Sequence, residues 1–215
     1  SQITDGTLTT FCGSGDGFVT TWYDQSGNNS HAIQTNASNQ PKIVNLGVLV
    51  TTNNKPSVLF NGTNNNFSIT NVNSSAPSDL SSFAVRSFST YPSNYRALYE
   101  FRNNSLIYNL NGGFSYGKAL IKAGVITSKA DNYPITTGQA LDFRYNLSNL
   151  DRNNTELTLL NGAGFTSTSL SFLGSFNSSI YFFQGNMQEV IFYESDKRTD
   201  KVAIKLNINN YYTIY

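Results

Sequence analysis

The stretch TWYDQSGNNSHAIQ, residues 21–34, indicates the fold class of this protein. Two short apolar segments flank a polar turn in which Asp24 is followed by Ser26 and Gly27. A carboxylate in this position commonly accepts backbone N–H groups and forms an Asx-type turn. Since neighbouring residues of a strand point to opposite faces, Trp22 and the Tyr that follows it are expected on different sides of a sheet. The stretch therefore predicts a corner between β-strands that is mainly architectural.

Short β-branched or aromatic segments of the same kind recur along the chain, bounded by Gly, Asn, Pro and Ser. They are GFVTTWYD, KPSVLFNG, SSFAVRSFST, ALYEFR, SLIYNLNG, ALDFRYNL, TELTLLNG, SLSFLGSF and SIYFFQGNMQEVIFYE. Because no helical segment separates them, they predict an all-β fold, an antiparallel sandwich or barrel. The Asn-Gly pairs at 61–62, 111–112 and 161–162 predict tight turns, since both residue types tolerate positive φ.

The last strand segment shows a period of two. Along residues 181–195 one face carries the apolar side chains Tyr181, Phe183, Met187, Ile191 and Tyr193. Glu189 falls on that same face. A carboxylate there must be paired or hydrogen-bonded, so Glu189 is interpreted as a buried structural acid of the closing strand.

The tail predicts one short helix over DKVAIKLNINNYY, residues 200–212. Its apolar residues at helical spacing are Ile204, Ile208 and Tyr211 or Tyr212. Ser195 or Thr199 is expected to cap its N-terminus, since short hydroxyl side chains accept the first free N–H groups.

Composition excludes several classes of protein. Only 13% of the 215 residues are charged and the net formal charge is +1, so the clustered Lys and Arg of a nucleic-acid binder are missing. A hydrophobic content of 39% still supports a globular fold, which we expect to be one domain over residues 1–215.

The single Cys, Cys12, excludes an internal disulfide and a multi-Cys zinc site, and is expected to be a small buried hydrophobe. No apolar run approaches the length of a membrane span.

Several segments resemble a known structural family. TWYDQSGNNSHAIQ, the following QPKIV and the later PSVLFNGTNNNF resemble the start of laminin-G-like, concanavalin A-like jelly rolls. The end of the chain, GNMQEVIFYESDKRTDKVAIKLNINNYYTIY, resembles the closing strand and helix of that group. The chain is also similar to the catalytic domain of fungal α-L-arabinofuranosidase B, and similar domains occur in surface proteins of phages and large DNA viruses. The resemblance implies an antiparallel jelly-roll β-sandwich with a short C-terminal helix.

The resemblance does not extend to the catalytic carboxylates. Retaining glycosidases need two carboxyl groups about 5 Å apart. In the arabinofuranosidase the nucleophilic Glu comes from the middle of the domain, and the acid Asp comes from a Gly-rich stretch before the last strand. The matching segments here, NLNGGFSYGKALIKAG (109–124) and LGSFNSSIYFFQG (173–185), contain neither Asp nor Glu. We therefore expect a protein that is not an enzyme.

Two other enzyme patterns of jelly rolls are also incomplete. Laminarinase-like enzymes place acidic residues alternately along one strand, whereas Glu189 and Glu194 are five residues apart and fall on opposite faces. The segment IKAGV at 121–125 resembles a strand of alginate-lyase-like jelly rolls, but the companion His and Arg motifs are missing. A divergent glycoside hydrolase or polysaccharide lyase remains an alternative.

Residues suited to ligand binding are concentrated in the middle segment STYPSNYRALYEFRNNSLIYNL, residues 89–110. Aromatic faces and planar polar groups stack on ligands and form hydrogen bonds with them. The candidate ligand contacts are Tyr91, Tyr95, Arg96, Arg102 and Tyr108, together with Asn28 and His31 of the polar turn. The candidate structural residues are Trp22, Asp24, Ser26, Gly27 and Glu189. No cofactor is required, and the oxygen-rich loop at Asp24 is the one place suited to Ca²⁺.

These observations favour a non-catalytic, lectin-like module that binds a glycan or the surface of a partner protein. A polar, weakly charged surface rich in Asn, Ser and Thr suits display on a virion or outside a cell. The module is then expected to belong to a larger or oligomeric surface assembly, without membrane insertion. A structural capsid or fibre module with no glycan ligand is the second alternative.

Overall fold

The computed structural model describes residues 1–69, 81–88, 96–101, 117–122, 125–130, 138–145, 149–153, 155–158, 170–176 and 178–215. The helices in these ranges are α1 (Thr7–Cys12) and α2 (Lys201–Tyr212), and Ala37–Asn39 form a 3-10 turn. The first strands are β1 (Gly17–Phe18), β2 (Thr21–Trp22), β3 (Ala32–Ile33), β4 (Lys42–Asn45), β5 (Val48–Leu49), β6 (Thr51–Thr52), β7 (Lys55–Pro56), β8 (Val58–Asn61) and β9 (Phe67–Ile69). The later strands are β10 (Ser81–Phe88), β11 (Tyr99–Phe101), β12 (Gly117–Lys122), β13 (Val125–Ala130), β14 (Ala140–Tyr145), β15 (Asn149–Arg152), β16 (Thr155–Thr158), β17 (Leu170–Leu173) and β18 (Gln184–Tyr193).

The described strands form two main antiparallel sheets. The larger sheet has the order β1-β4-β8-β18-β10-β14-β15-β16, with β5 paired to β4, and the smaller has the order β11-β17-β9-β3-β2. Two further strand pairs, β6-β7 and β12-β13, stand apart from these sheets. The central pairings of β10 with β14 and β18 are antiparallel along most of their length. The predicted all-β antiparallel class with a short C-terminal helix is confirmed.

Two apolar cores hold the layers together. The first lies between the sheets and consists of Ala32, Val58, Phe60, Phe67, Ile69, Ala84, Phe88, Leu98, Tyr99, Leu173, Phe183 and Met187. The second lies between the larger sheet and α2 and consists of Phe83, Val85, Leu141, Phe143, Ile208 and Tyr212. Strand β10 serves both cores, because its successive side chains point to opposite faces.

A β-bulge overturns the predicted single apolar face of residues 181–195. The register between β10 and β18 shifts between Val85 and Arg86, so that Val85 lies opposite Glu189 while Arg86 lies opposite Met187. An extra residue in a strand moves every following side chain to the other face. Phe183 and Met187 accordingly face the smaller sheet, as do Val190 and Phe192, whereas Ile191 and Tyr193 face α2.

The tail is helical as predicted, but its start differs. Helix α2 begins at Lys201 with Asp200 as the N-cap, and no side chain caps it, so the predicted caps Ser195 and Thr199 were wrong. Ile204, Ile208 and Tyr212 face the larger sheet, and Tyr211 is exposed. The sequence also did not indicate α1, which buries none of its residues.

Two smaller predictions have different outcomes. Cys12, at the end of α1, is only half-buried, so its interpretation as a buried hydrophobe was wrong. The turn at residues 61–62 is present, with Gly62 at φ +78°. It leads from β8 of the larger sheet to β9 of the smaller one. The pairs at 111–112 and 161–162 lie outside the described residues.

Candidate functional site

The polar corner, residues 24–31, satisfies its own polar groups. One carboxylate oxygen of Asp24 accepts the backbone N–H of Ser26 at 2.8 Å, and the other accepts the Ser26 hydroxyl at 2.8 Å and the backbone N–H of Ser30 at 3.0 Å. These bonds, led by the one from the Ser26 backbone, lower the pKa of Asp24. Gly27 has φ +87°, which closes the turn. The corner is thus an Asx-type turn held by its own backbone.

His31 belongs to the same closed arrangement. Its Nδ1 accepts the backbone N–H of Asp24 at 3.1 Å, and its ring meets Tyr23 edge to face with centroids 5.1 Å apart. Asn28 donates its backbone N–H to the Ser26 hydroxyl, while its own side chain is exposed. The imidazole therefore has one nitrogen engaged in holding the turn, which leaves only Nε2 for any ligand.

Trp22 and Tyr23 lie on opposite faces of the chain. Trp22 packs against the core between the sheets and contacts Phe67 edge to face at a centroid distance of 6.3 Å. Tyr23 is 63% exposed. Tyr23 thus provides an exposed aromatic ring next to the polar corner.

Of the candidate contacts in the middle segment, the structure describes only Arg96. Its guanidinium donates to the carbonyls of Gly62 at 2.7 Å and Phe182 at 2.9 Å, and to Oε1 of Gln184 at 2.8 Å. Burial lowers the pKa of Arg96. Arg96 thus joins the turn after β8 to the start of β18. The other candidates, Tyr91, Tyr95, Arg102 and Tyr108, lie outside the described residues.

Glu189 faces helix α2 across the bulged strand. It is half-buried, and it lines a groove with Asn207, Ile208, Asn210, Tyr211 and Tyr212. Burial raises the pKa of Glu189, and burial together with the charge of Glu189 raises the pKa of Tyr212. The Tyr212 hydroxyl donates to the Gln188 carbonyl instead of the carboxylate.

Two other carboxylates, which the sequence did not single out, are buried in ion pairs. Asp142 accepts Nε of Arg86 at 2.9 Å and Nε of Arg152 at 2.7 Å. Asp151 pairs with Lys205 of α2. Asp142 lies opposite Ala84, which faces the smaller sheet, and Asp151 lies opposite Phe143, which faces α2. The two carboxylates point to opposite sides of one sheet, so they do not form a hydrolytic pair.

A groove on the outer face of the larger sheet is the strongest candidate site. We call it the Phe18 groove. Its volume is about 250 Å³, and it is lined by Phe18, Ser38, Gln40, Lys42, Leu59, Phe60, Asn61, Asn65 and Gln184. Phe18 is 50% exposed, which is unusual for a large aromatic side chain within a sheet. The groove therefore combines an accessible ring with hydroxyl, amide and ammonium groups.

Strand register explains how the groove forms. Phe18 of β1 lies opposite Lys42 of β4, Lys42 lies opposite Leu59 of β8, and Gln184 of β18 lies opposite Asn61. Directly opposed residues of an antiparallel pair share a face of the sheet. Four neighbouring strands thus place these side chains together on the face away from the smaller sheet.

Asparagine side chains fix one end of the groove. Oδ1 of Asn61 accepts the backbone N–H groups of Thr63 at 2.9 Å and Asn64 at 3.1 Å. The buried Asn65 accepts the backbone N–H of Asn61 through Oδ1 at 2.9 Å and donates through Nδ2 to the Gln40 carbonyl at 3.2 Å. The loop after β8 is thereby tied to the segment before β4. The groove has a preorganised wall.

Two amide groups of the groove retain hydrogen-bonding capacity. Gln184 uses Oε1 to accept Arg96, and within the described part of the chain its Nε2 has no partner. Gln40 uses Nε2 to donate to Thr20 and Gln34, and its Oε1 likewise has no partner among the described residues. A donor and an acceptor are thus available beside the Phe18 ring.

This groove was not predicted from the sequence. Its residues come from four separate segments, none of which carries a local motif for ligand binding. The alternation within each segment shows which residues share a face of one strand, but the pairing of β1, β4, β8 and β18 is long-range. The one local signal is Phe18, an aromatic residue between a Gly and the polar corner.

The described ranges given above lack a metal-binding cluster and a membrane-spanning helix. In those ranges no three His, Cys, Asp or Glu side chains come together as a metal-binding group. No helix there is long and apolar enough to cross a membrane.

Comparisons with known proteins establish the fold. No protein-family model and no curated protein match the sequence. Two structures of a GH54 α-L-arabinofuranosidase share its fold, one a mutant soaked with 4-nitrophenyl α-L-arabinofuranoside at a TM-score of 0.65 and one soaked with a cyclic sulfate inhibitor at 0.64. Both are 14% identical to this chain, and the alignments cover 99% of this chain and 54% of theirs. A mutant of HCR/D aligns over 87% of this chain with 9% identity and a TM-score of 0.43.

At 14% identity, the structural similarity to the arabinofuranosidase shows the fold alone. The β-sandwich of jelly-roll type that the sequence implied is confirmed, and this chain spans about half the length of the arabinofuranosidase structures. The laminin-G-like and viral relationships stay predictions.

Proposed function

We propose that this protein binds a glycan non-catalytically in the Phe18 groove. The observation that carries the proposal is the half-exposed Phe18 ring in one groove with Oε1 of Gln40 and Nε2 of Gln184, which have no partner among the described residues. Sugars present apolar C–H faces and many hydroxyl groups. An aromatic ring covers the first, and amide donors and acceptors bind the second.

The fold neighbours support a carbohydrate ligand only in general terms. The arabinofuranosidase was soaked with an arabinofuranoside, a neutral sugar derivative. Neutral arabinose-containing oligosaccharides are therefore a sensible first group of probes. The ion pairs of Asp142 and Asp151 support a binding role over hydrolysis, because both carboxylates are already engaged.

The proposal includes the wider setting inferred from the sequence. The protein is one domain displayed on an extracellular or virion surface, within a larger or oligomeric assembly. A partner protein's surface is the alternative ligand, and a structural capsid or fibre module is the alternative function. The weakly charged, Asn-rich surface is the feature that supports display outside a cell.

The calcium hypothesis concerns the polar corner, separate from the groove. Both oxygens of the Asp24 carboxylate accept hydrogen bonds from the corner itself. A cation would have to displace those donors. A thermal-shift assay with Ca²⁺ and with a chelator tests the hypothesis, because a ligand of the native state raises the melting temperature. We expect equal melting temperatures, and a higher one in Ca²⁺ would establish a site.

The test of the proposed function is an array of neutral and acidic oligosaccharides, combined with an assay for released sugars. We expect saturable binding without release, and loss of binding in Phe18→Ala. Tyr23→Ala is the matched control, because it removes another exposed ring outside the groove. Absence of binding to every glycan would contradict the proposal and favour the structural module. Release of sugar would favour a divergent glycosidase or lyase.

A further inference from the structure

We infer that the Phe18 groove selects neutral glycans over acidic ones, because an internal salt bridge cancels the charge of its ammonium group. This inference rests on the proposed function. Among the described residues that line the groove, Lys42 is the charged one. The groups around Lys42 therefore determine how tightly the groove binds a negatively charged sugar.

The ammonium of Lys42 is largely committed to protein partners. Its Nζ lies 2.8 Å from a carboxylate oxygen of Asp16 and donates to Oδ1 of Asn45 at 3.0 Å. An ammonium has three donors, so these contacts leave one for a ligand. Phe18 lies beside the cation, with the ring centroid 5.9 Å from Nζ.

Asp16 is itself held in place beside Lys42. Its second oxygen accepts the backbone N–H of Leu46 at 2.8 Å, which anchors the carboxylate to the turn between β4 and β5. The Lys42 side chain, followed by the Leu46 backbone, lowers the pKa of Asp16. Asp16 thus carries its negative charge throughout the neutral range, and the pair is close to neutral overall.

This arrangement discriminates between ligands. A hydroxyl group can accept the remaining ammonium proton without an electrostatic penalty. The carboxylate of a uronic or sialic acid at the same position would be attracted by the Lys42 ammonium but repelled by the nearby Asp16 carboxylate. Placing like charges next to each other in an interface is a means of rejecting a wrong ligand.

Asp16→Asn tests the inference. Asn keeps an oxygen that can accept the Leu46 N–H, but it removes the charge that neutralises Lys42. Asp5→Asn is the matched control, because Asp5 also accepts a backbone N–H, that of Thr7 at 3.0 Å, but is not the ion-pair partner of Lys42. The probes are galacto-oligosaccharides and oligogalacturonates of equal length, added to the array, with affinities measured by calorimetry.

The wild type is expected to bind the galacto-oligosaccharide up to about fivefold more tightly than the oligogalacturonate of equal length, the effect of an exposed charge pair. Asp16→Asn should reduce that ratio about threefold by improved binding of the acidic glycans, and Asp5→Asn should leave it unchanged. Equal or tighter binding of uronates by the wild type, or an unchanged ratio in Asp16→Asn, would overturn the inference while the proposed function stands. If the wild type binds no glycan, both fall together.

Discussion

The polar corner and the Phe18 groove consist of similar residue types but differ in what their polar atoms bind. In the corner, Asp24 and Nδ1 of His31 are engaged by groups of the same loop. In the groove, Gln40 and Gln184 each use one amide atom for the fold and keep the other without a partner among the described residues. Polar residues thus indicate a binding site only where hydrogen-bonding capacity remains after the fold is satisfied.

The largest expected effect is a loss of glycan affinity. It is tested by removing one exposed aromatic ring from each of the two regions. Phe18→Ala should weaken the affinity for the array-selected glycan at least about tenfold, because aromatic side chains dominate ligand contacts. Tyr23→Ala should leave the affinity unchanged. Calorimetric titration of both variants measures this difference. A loss of affinity in Tyr23→Ala alone would move the site to the corner.

The next effect is on stability and concerns Asp24. Asp24→Ala removes the acceptor of three hydrogen bonds and should lower the free energy of unfolding by about 1–2 kcal/mol, a modest value because the corner is solvated. Urea denaturation measures the change, and the glycan affinity should stay that of the wild type. If Asp24→Ala weakened binding and left stability unaffected, the corner would be a ligand site.

The pH dependence of a second variant, Asp24→Asn, tests whether the charge of this carboxylate stabilises the fold. The folded-state pKa of Asp24 lies below its ordinary value of 3.8, so the ionised carboxylate favours the folded state. The wild type should be more stable than Asp24→Asn, and this difference in unfolding free energy should be fully present at pH values above 3.8. The difference should disappear as the pH falls through the lower pKa of the folded state. Denaturation series between neutral and acidic pH measure it. A constant difference at all pH values would show that the charge of Asp24 is unimportant.

The smallest expected effect concerns His31. His31→Ala removes the acceptor for the Asp24 N–H and should cost about 0.5–1 kcal/mol of unfolding free energy. The variant His31→Gln, whose side-chain oxygen can still accept, should recover part of the loss. Glycan affinity should not change in either variant. A loss of affinity with unchanged stability would make His31 a ligand contact.

The fold was predictable because its signals are local. The strand segments, the Asx-type turn at Asp24 and the apolar spacing of Ile204 and Ile208 are each visible within a short window of sequence. The prediction that the last strand has a single apolar face was wrong because of the bulge beside Glu189. A period-two pattern in the sequence does not show where an extra residue is inserted.

The candidate site was not predictable for a related reason. Phe18, Lys42 and Gln184 meet only through the pairing of strands far apart in sequence. The middle segment, rich in aromatic residues and Arg, was singled out by its composition, but its one described candidate contact, Arg96, donates to carbonyls of the fold. Sequence shows which groups are polar, and only the structure shows which of them remain available.

Binding in the Phe18 groove is best tested by an NMR titration of the ¹⁵N-labelled protein with the strongest neutral glycan from the array. We expect the backbone signals of Phe18, Lys42, Asn61 and Gln184 to shift and those of residues 24–31 to stay in place. Shifts confined to residues 24–31 would contradict this expectation and would make the polar corner the binding site.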